Sequence, residues 1–563
     1  MIIINASSTA AVHNDKGKTL CMTSGYKLKP KCTHFFLILL FIQYFDSRLM
    51  PLLGSLIKKA YELRQLPIDI KTMDPDAEQR KVLRKLILKA QNTAFGEFFR
   101  FGDILTSANF MDTFRKQVPV HDYGSMFKSW WYRSLNGEPY VAWPGRVNYF
   151  ALTSGTSEAS SKHIPVTSDM LNAIQKTSLR LLVSTTKYDF PDEFYEKGIL
   201  MIGGSTHLQY NGTYYRGDLS GITASTMPFW FQHFYKPGRR ISREEEWSVK
   251  LNEIVRNARL WDIGVIVGVP AWIQIMMEKI ICHYRVKHIH EIWPNLSAYV
   301  HSGVAFEPYV KSFENLLGHP IIYNESYLAS EGYIAYQRPG SKKGMELVLD
   351  NGIFYEFIPY TEENFDCDGN LRSNPQTLTI SQVKEENEYA LLLSTCAGAW
   401  RYLIGDTIRF TSKERSEIIL TGRTKHFISL CGEHLSQDNM NRAIKMLQDE
   451  LNVSITEFTV AGTRFGSLFA HKWYLGTDDA LDPGLAARKL DMYLTELNDD
   501  YRVERLEALK DVSAEIVPLQ VFHDWMKVHR KEGGAHKFPR VLKTGQLTEW
   551  EKHLQYYTPS LKV

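Results

Sequence analysis

Hydrophobic positions follow two alternating periods along the chain downstream of residue 50. Apolar residues at helical spacing predict amphipathic helices at 77–91 and 168–187. Short apolar runs bounded by Gly, Pro, Ser or Asn predict buried strands at 147–152, 198–202, 264–269, 298–301, 353–358 and 389–394. Helices and strands that alternate in this way are typical of an α/β fold and unlike an all-helical or all-β chain.

The pattern changes after Arg423, and this change predicts a domain boundary. Beyond it, strands and helices alternate closely over a tail that has the length of a separate small domain. We therefore expect a large domain at 50–425 and a small C-terminal domain at 426–563. Residues 1–49 show no domain-like periodicity, so we expect a non-conserved or mis-assigned N-terminal extension, with Met50 as the true start.

One apolar run, at 35–42, could suggest contact with a membrane. Its length is well below the about 20 residues that a spanning helix needs. No small-residue cleavage site follows it, so the run does not fit a secretory signal. We expect no stable membrane insertion, and a protein anchored through 35–45 is the alternative.

Composition narrows the classes of function. The 563 residues carry 66 Lys plus Arg against 63 Asp plus Glu, a formal net charge of +3. A general nucleic-acid-binding protein would show a strongly basic domain or stripe, so no nucleic-acid partner is expected. The six cysteines form no C-x-x-C pair, which argues against a zinc module or a disulfide framework and favours a reducing, cytoplasmic compartment.

The most informative stretch follows the predicted strand at 147–152. It is a hydroxyl-rich loop that ends in a lysine, with the candidate residues Ser154, Gly155, Thr156, Ser157 and Lys162. Backbone N–H groups, hydroxyls and one ammonium suit a polyphosphate, although the spacing is not that of a Walker A loop. A solvated turn is the alternative.

A second group of polar residues follows an apolar run at 320–323. Tyr327, Ser330 and Glu331 combine an aromatic ring, a hydroxyl and a carboxylate. Such groups could stack a base and hold a divalent cation through oxygen ligands. Exposed turn residues at a strand end are the alternative.

A third motif, W-R-Y-L-I-G-D, ends in Asp406, directly after a glycine. One carboxylate in this position could accept hydrogen bonds from both hydroxyls of a ribose. The alternative is a turn aspartate paired with Arg401 or Arg409. A fourth motif, G-G-A-H-K-F-P-R, places Lys537 in a glycine-flanked loop whose alternative is a solvated surface loop.

Taken in order, these motifs and the G-R-T-K that begins at residue 422 resemble the acyl-adenylate-forming, firefly luciferase-like superfamily. Within it, the chain is similar to the auxin-responsive promoter (Gretchen Hagen) family of acyl acid amido synthetases, in a bacterial-type form. The resemblance covers roughly Met50 to the C-terminus. It departs at Ala159, where the family's phosphate loop often has glycine. The implied α/β fold has a large N-terminal domain of stacked sheets and helices, which binds ATP and the acyl acid, and a small mobile C-terminal α/β lid.

The resemblance also implies roles for the candidate residues. The 154–157 loop and Lys162 would hold the ATP phosphates, and Tyr327 would lie against adenine. Ser330 would lie near the phosphates, and Glu331 would be catalytic and would bind Mg²⁺. Asp406 would bind the ribose hydroxyls with Arg423 beside it, and Lys537 would swing in as a catalytic residue to neutralise the reacting carboxylate and α-phosphate.

The implied function is a ligase that uses ATP and Mg²⁺. It would activate a carboxylic acid as an acyl-adenylate and transfer the acyl group to an amine, expected to be an amino acid. Two alternatives stay open: an acyl-CoA ligase with a thiol acceptor, and a nucleotide-binding protein without turnover. The sequence does not identify the acid or the acceptor.

Overall fold

The computed structural model describes residues 74–153, 162–188, 190–304, 306, 309–341, 344–366, 369–425, 427–528 and 538–557, and three short strands near the N-terminus. The chain divides into two compact units, residues 1–53 and 54–563. The first unit contains an antiparallel sheet of β1 (Ile3–Ile4), β2 (Ala10–His13) and β3 (Thr19–Cys21). The apolar run at 35–42 lies outside the described residues.

Strands and helices alternate through the second unit. Its strands are β4 (Tyr149–Thr153), β5 (Lys162–Val166), β6 (Gly198–Met201), β7 (Gln209–Tyr210), β8 (Tyr215–Gly217), β9 (Tyr235–Lys236), β10 (Ile263–Gly268), β11 (Ala298–His301), β12 (Ile322–Ala329), β13 (Gly332–Tyr336), β14 (Met345–Leu347), β15 (Ile353–Pro359), β16 (Glu388–Thr395), β17 (Tyr402–Ser412), β18 (Glu417–Arg423), β19 (Phe427–Ile428), β20 (Leu435–Ser436), β21 (Glu457–Phe465), β22 (Leu468–Gly476), β23 (Leu509–Val517) and β24 (Val541–Leu542). Its α-helices are α1 (Pro75–Ala90), α2 (Ala94–Phe98), α3 (Phe101–Thr106), α4 (Phe110–Gln117), α5 (Tyr123–Met126), α6 (Tyr132–Leu135), α7 (Ser168–Ser184), α8 (Leu219–Ser225), α9 (Arg239–Ser242), α10 (Trp247–Asn257), α11 (Pro270–Tyr284), α12 (Val310–Leu316), α13 (Gln437–Leu451), α14 (Pro483–Leu497), α15 (Asp499–Glu507), α16 (Leu519–Val528) and α17 (Thr544–Tyr557). Each strand predicted from the apolar runs is confirmed to within two residues at either end.

Helix α1 packs against a strand that is distant in sequence. It begins where the Asp74 side chain accepts a hydrogen bond from the N–H of Asp76, with Pro75 in its first turn. On its buried face, Gln79 donates hydrogen bonds of 2.8 and 3.0 Å to the carbonyls of Leu349 and Ile353. It also accepts one of 2.7 Å from the N–H of Tyr355, 276 residues away in sequence. These bonds fix α1 at the start of β15.

An eleven-stranded mixed sheet forms the centre of the large part, in the order β15-β16-β17-β18-β14-β13-β12-β11-β10-β6-β9. The strands from β9 to β12 are parallel, and the pairs from β12 onward are antiparallel. Strand β12 belongs to both halves, because Ile322–Glu325 pairs with β11 and Ser326–Ala329 pairs with β13. The carboxyl ends of the parallel strands share one edge of this sheet, where ligands bind in open α/β sheets.

A second sheet, in the order β5-β4-β8-β7, carries the segment on either side of the hydroxyl-rich loop. Strands β4 and β5 are antiparallel, and β5 begins at Lys162. Helix α7 follows, with its first turn capped by the Thr167 hydroxyl, which accepts from the N–H of Met170. The helix predicted at 168–187 is therefore confirmed over 168–184.

The C-terminal part is built on a four-stranded sheet in the order β23-β22-β21-β24. Buried tryptophans, Trp473, Trp525 and Trp550, fill the space between this sheet and its helices. One hydrophobic cluster extends from the helices beside β10 and β11 into this part, so the boundary near residue 425 stays a prediction. The fold is mixed α/β, with a large N-terminal part and a smaller C-terminal part. In the described ranges, no helix combines the length and apolarity that a membrane crossing requires.

Candidate active site

Five of the candidate side chains come together where β12 leaves the parallel half of the sheet. They are Lys162 at the start of β5, Tyr327 on β12, Glu331 in the β12–β13 turn, Asp406 on β17 and Arg423 at the end of β18. Ser330, half-buried, lies in the same turn beside Glu331. Four of the five sequence motifs thus contribute side chains at the switch from parallel to antiparallel pairing, and Lys537 of the fifth lies outside the described residues.

Asp406 is the centre of this group. The Arg423 Nε donates to its Oδ1 at 2.6 Å, and the buried Tyr327 hydroxyl donates to its Oδ2. The sheet register places Asp406 directly opposite Arg423, and Gly405 takes a φ of +93° just before it, a conformation that favours glycine. A carboxylate held on both oxygens keeps a fixed orientation, and its further lone pairs can accept from a diol.

The alternative reading, in which Asp406 pairs with Arg401 or Arg409, is wrong. Arg401 instead forms two hydrogen bonds of 2.9 Å with the buried carboxylate of Glu356. The Nη1 atom of Arg409 lies 3.8 Å from Oε2 of Glu386. Asp406 is therefore a strand residue paired with Arg423, and not a turn aspartate.

Glu331 and Lys162 have pKa values close to neutrality. Burial, with a smaller contribution from Asp406, raises the pKa of Glu331 to about 7, against the opposing charges of Lys162 and Arg423. Burial, with a smaller contribution from Arg423, lowers the pKa of Lys162 to about 8. The Lys162 ammonium also lies 5.4 Å from the centroid of the Tyr123 ring. Both side chains can therefore change charge near physiological pH.

The sequence did not point to three further residues around this group. The Tyr123 hydroxyl accepts a hydrogen bond of 2.9 Å from the N–H of His163, next to Lys162, and no sequence signal marks it. Burial, with a smaller contribution from the nearby charge of Glu331, raises the pKa of Tyr402. The position of Tyr402 in the W-R-Y-L-I-G-D motif could have identified it from the sequence. Burial lowers the pKa of His434, and the charges of Arg423 and Asp406 have smaller effects on it.

Some candidates lie outside the described residues: Ser154, Gly155, Thr156, Ser157, Ala159 and Lys537. Within the described ranges, no group of three His, Cys, Asp or Glu side chains is arranged to hold a metal ion. Glu331 nevertheless supplies the carboxylate oxygens that Mg²⁺ takes when it keeps several waters and shares substrate phosphates. This carboxylate therefore fits a magnesium ion that arrives with a nucleotide.

Three family models match the chain, and together they cover more than half of it. They are the GH3 family N-terminal domain at residues 67–250, the GH3 family central domain at 346–417 and the GH3 family C-terminal domain at 438–546. A curated relative, the jasmonoyl-L-amino acid synthetase JAR4 of Nicotiana attenuata, is 26% identical over 187 residues, which are 30% of this chain and 30% of the relative. The chain thus spans about a third of the length of the curated relatives that it matches.

Solved structures share the fold over nearly the whole chain. AtGH3.15 acyl acid amido synthetase in complex with 2,4-DB is similar with a TM-score of 0.53 and 17% identity, over 91% of this chain and 97% of that chain. A 2-hydroxyisobutyryl-CoA ligase in its thioesterification state is similar with a TM-score of 0.54 and 12% identity, over 85% and 92%. At these identities the likeness concerns the fold alone.

Proposed function

Since the chain belongs to the GH3 family, we propose that it is an ATP-dependent acyl acid amido synthetase. It activates a carboxylic acid as an acyl-adenylate and transfers the acyl group to the amine of an amino acid. We place it in the acyl-adenylate-forming superfamily, in a bacterial-type form. We also propose a cytoplasmic enzyme that works with Mg²⁺ and without a nucleic-acid partner.

The observation that carries the proposal is the fixed carboxylate of Asp406 beside Glu331 and Lys162. Asp406 accepts hydrogen bonds from the two ribose hydroxyls and Tyr327 packs against adenine. The Lys162 ammonium binds phosphate oxygens together with the 154–157 loop. Lys537 approaches the α-phosphate from the C-terminal part. Magnesium, when held by Glu331 and the phosphates, supplies further charge neutralisation.

The chemistry needs two steps because a carboxylate is a poor electrophile. In the first, a carboxylate oxygen of the acid attacks the α-phosphorus. The bond from that phosphorus to the oxygen that bridges the α- and β-phosphates breaks, and pyrophosphate is released. In the second, the neutral amine attacks the acyl carbon, and the bond from that carbon to the AMP oxygen breaks. The amine loses one proton as the amide forms. Positioning and electrostatic stabilisation by the side chains described above supply the rate enhancement.

A screen for adenylation followed by a competition between acceptors tests this function. ATP–pyrophosphate exchange is first measured over a panel of carboxylic acids with Mg²⁺. The best acid is then supplied with ATP, coenzyme A and the twenty amino acids together, and the products are identified by mass spectrometry. An amide that disappears when amino acids are omitted supports the proposal.

Two other results would assign a different function. A thioester as the dominant product would identify an acyl-CoA ligase with the same adenylation step, the second candidate that the shared fold of the 2-hydroxyisobutyryl-CoA ligase supports. Absence of exchange with every acid, in a protein that still binds ATP, would identify a nucleotide-binding protein without turnover.

A further inference from the structure

Tyr123, at the start of α5, contacts both a side chain and the backbone at the beginning of β5. The Lys162 ammonium lies over its ring, 5.4 Å from the ring centroid. Its hydroxyl oxygen accepts a hydrogen bond of 2.9 Å from the N–H of His163, the next residue along the chain. One half-buried tyrosine therefore holds the beginning of β5 at two points, and one of them is a candidate site residue.

The hydroxyl contact fixes an edge of a sheet. Strand β5 is the outer strand of the sheet β5-β4-β8-β7 and pairs with β4. The outer side of an edge strand presents N–H groups that no neighbouring strand accepts. Tyr123 accepts from one of them, that of His163. Since β5 begins at Lys162, this bond fixes the backbone directly beside the lysine.

The ring contact holds the ammonium itself. A cation within about 6 Å of the centroid of an aromatic ring is attracted by the negative face of that ring. In the described part of the chain, no carboxylate oxygen lies within 4.0 Å of Lys162 Nζ. A lysine side chain is long and flexible, so the Tyr123 ring is the described group that restrains its end.

Charged groups around Lys162 act on its pKa in both directions. Burial is the largest effect and lowers the pKa to about 8. Arg423 and Lys425 lower it further. Glu331 and Asp122 raise it. Because these charges oppose each other, the ring, which favours the protonated form, helps to decide the charge of the ammonium near this pH.

The Tyr123 ring has a fixed place of its own. Asp122 and Ser125 form a reciprocal capping box around the first turn of α5. The ring stacks on that of Phe127, with centroids 5.4 Å apart and planes 23° apart, and its centroid lies 6.0 Å from that of Trp131. A tyrosine held through its backbone and its ring can position a more flexible partner.

The segment before α5 ties Tyr123 to the strand that carries Asp406. The N–H of His121 donates to the carbonyl of Arg401 at 2.8 Å. The N–H of Leu403 donates to the carbonyl of His121, also at 2.8 Å. These bonds form a parallel bridge at the start of β17, the strand on which Asp406 lies. Direct contacts thus connect the lysine on one sheet with the aspartate strand of the other.

We propose that Tyr123 is a positioning residue of the nucleotide site, which holds the Lys162 ammonium in place relative to Asp406. This inference rests on the proposed function, in which Lys162 binds the ATP phosphates and Asp406 binds the ribose. Tyr123 acts through Lys162, because its ring restrains the ammonium and its hydroxyl fixes the backbone that carries it. Removing the Tyr123 side chain therefore weakens ATP binding only while the lysine is present.

A double-mutant cycle on the Kd of ATP with Mg²⁺, measured by isothermal titration calorimetry on the full chain, tests this role. Tyr123→Leu is expected to raise the Kd roughly 10- to 30-fold in the wild-type background and less than about 2-fold in the Lys162→Met background. Tyr284→Leu is the matched control and should leave the Kd unchanged in both. Tyr284 is also half-buried, lies 4.4 Å from the Arg259 guanidinium and donates through its hydroxyl to a backbone group, the Arg256 carbonyl, at 3.0 Å.

The pH dependence of the Kd separates the ring from the hydroxyl. The ring favours the charged ammonium, so in Tyr123→Leu the pH above which ATP affinity falls should move down from about 8 by roughly half a unit. Tyr123→Phe keeps the ring and should keep the wild-type pH dependence. It should lose only roughly 3-fold in affinity, since the N–H of His163 is left without its acceptor. If Tyr123→Leu does not fold, Tyr123→Phe takes its place in the cycle.

Equal losses from Tyr123→Leu with and without Lys162 would overturn the assignment, as would an unaltered pH dependence or an equal loss in Tyr284→Leu. The cycle measures binding, so ATP–pyrophosphate exchange by the wild-type protein separates the two proposals. Exchange combined with an additive cycle overturns this inference alone. Absence of exchange with every acid overturns the proposed function, and the cycle still decides the role of Tyr123. Absence of ATP binding overturns both.

Discussion

The carboxylate of Asp406 is oriented by the guanidinium of Arg423 and the phenol of Tyr327, so its loss should weaken the binding of ATP. Asp406→Asn is expected to raise the KM for ATP roughly 10- to 100-fold, because in the proposed function a charged acceptor of both ribose hydroxyls becomes an amide. Steady-state ATP–pyrophosphate exchange measures it. The matched control is Asp491→Asn. Asp491 accepts from Arg505 Nε at 2.7 Å and from the Tyr501 hydroxyl at 2.8 Å, the same partner types at a different place. Equal KM values in the two variants would contradict a ribose role.

The pKa values of Glu331 and Lys162 predict a narrow bell-shaped pH profile for kcat/KM of ATP. In the proposed function Glu331 must be ionised to assist with the metal, and it loses that charge below its pKa of about 7. Lys162 must be protonated to bind phosphate and loses its charge above its pKa of about 8. Lys162→Arg should keep the charge at higher pH and remove the alkaline limb. A limb that persists near pH 8 in this variant would assign it to another group.

Individual site residues could be predicted because short motifs contain them. The residues that they pair with could not be read from those motifs. Tyr327, Glu331, Asp406 and Arg423 were all found in short motifs, and the structure brings them together with Lys162. The resemblance placed Arg423 beside Asp406, but the motif by itself did not, because this pairing depends on the register of β17 against β18, which places Arg423 directly opposite. Sequence distance favoured the nearer arginines, and no local signal reports register.

Among the elements, the segment before β20 contains a buried carboxylate, that of Glu433, which accepts several hydrogen bonds. Glu433 accepts hydrogen bonds from the N–H groups of Leu430 and Cys431 at 2.9 Å and from Nε2 of His471 on β22 at 2.9 Å, and both side chains of the pair are fully buried. Burial alone would raise the pKa of Glu433, but these hydrogen bonds outweigh it and lower the pKa to about 2. The carboxylate ties this segment to the C-terminal sheet.

Glu433→Gln is therefore expected to lower the free energy of unfolding at pH 7 by about 3–5 kcal/mol. A carboxyl group whose pKa falls on folding stabilises the protein above its unfolded pKa, near 4.5, and this contribution is lost as the pH falls towards 2. The difference between wild type and variant should shrink over that window in chemical denaturation at a series of pH values. Glu457→Gln, which loses a partly exposed pair with Arg540, serves as the control and should cost about 1 kcal/mol or less. A pH-independent difference would rule out the proton linkage.

The elements themselves were predictable to within a few residues, and their arrangement was not. Apolar runs identify buried strands because each run must be covered on both faces. They do not say which strands are neighbours, so the pairing of β14 with β18, across the insertion of β15, β16 and β17, had no signal. Either Thr167 or Ser168 offers a hydroxyl that could cap α7, and in the structure Thr167 does so.

For the whole molecule, the two compact units divide between residues 53 and 54, close to Met50. A variant that begins at Met50 is expected to retain its ATP–pyrophosphate exchange rate and its melting temperature, because the described site residues and core clusters all lie at 74–557. Exchange assays and thermal unfolding compare it with the full chain. Lost exchange in a truncated protein that still unfolds cooperatively would show that residues 1–49 take part in the activity.

The α/β fold with a large N-terminal part and a smaller C-terminal part was predictable from the order of helices and strands. The mobility of the C-terminal part stays a prediction. In the arrangement described here, the Trp272 indole on α11 donates at 2.9 Å to Glu504 on α15, so helices on either side of residue 425 are joined by a buried hydrogen bond. Contacts of this kind depend on packing and leave no trace in the sequence.

The attachment of α1 to β15 has a consequence for how the protein is made. Gln79 bonds to Tyr355, 276 residues further along, and at about 5–20 residues per second the ribosome needs roughly 14 to 55 seconds to cover that separation. For that interval the apolar face of α1, which carries Val82, Leu83, Leu86 and Ile87, has been synthesised without its partner. We expect the yield of folded protein to depend on nascent-chain chaperones and on growth temperature more strongly than the finished molecule's stability would suggest.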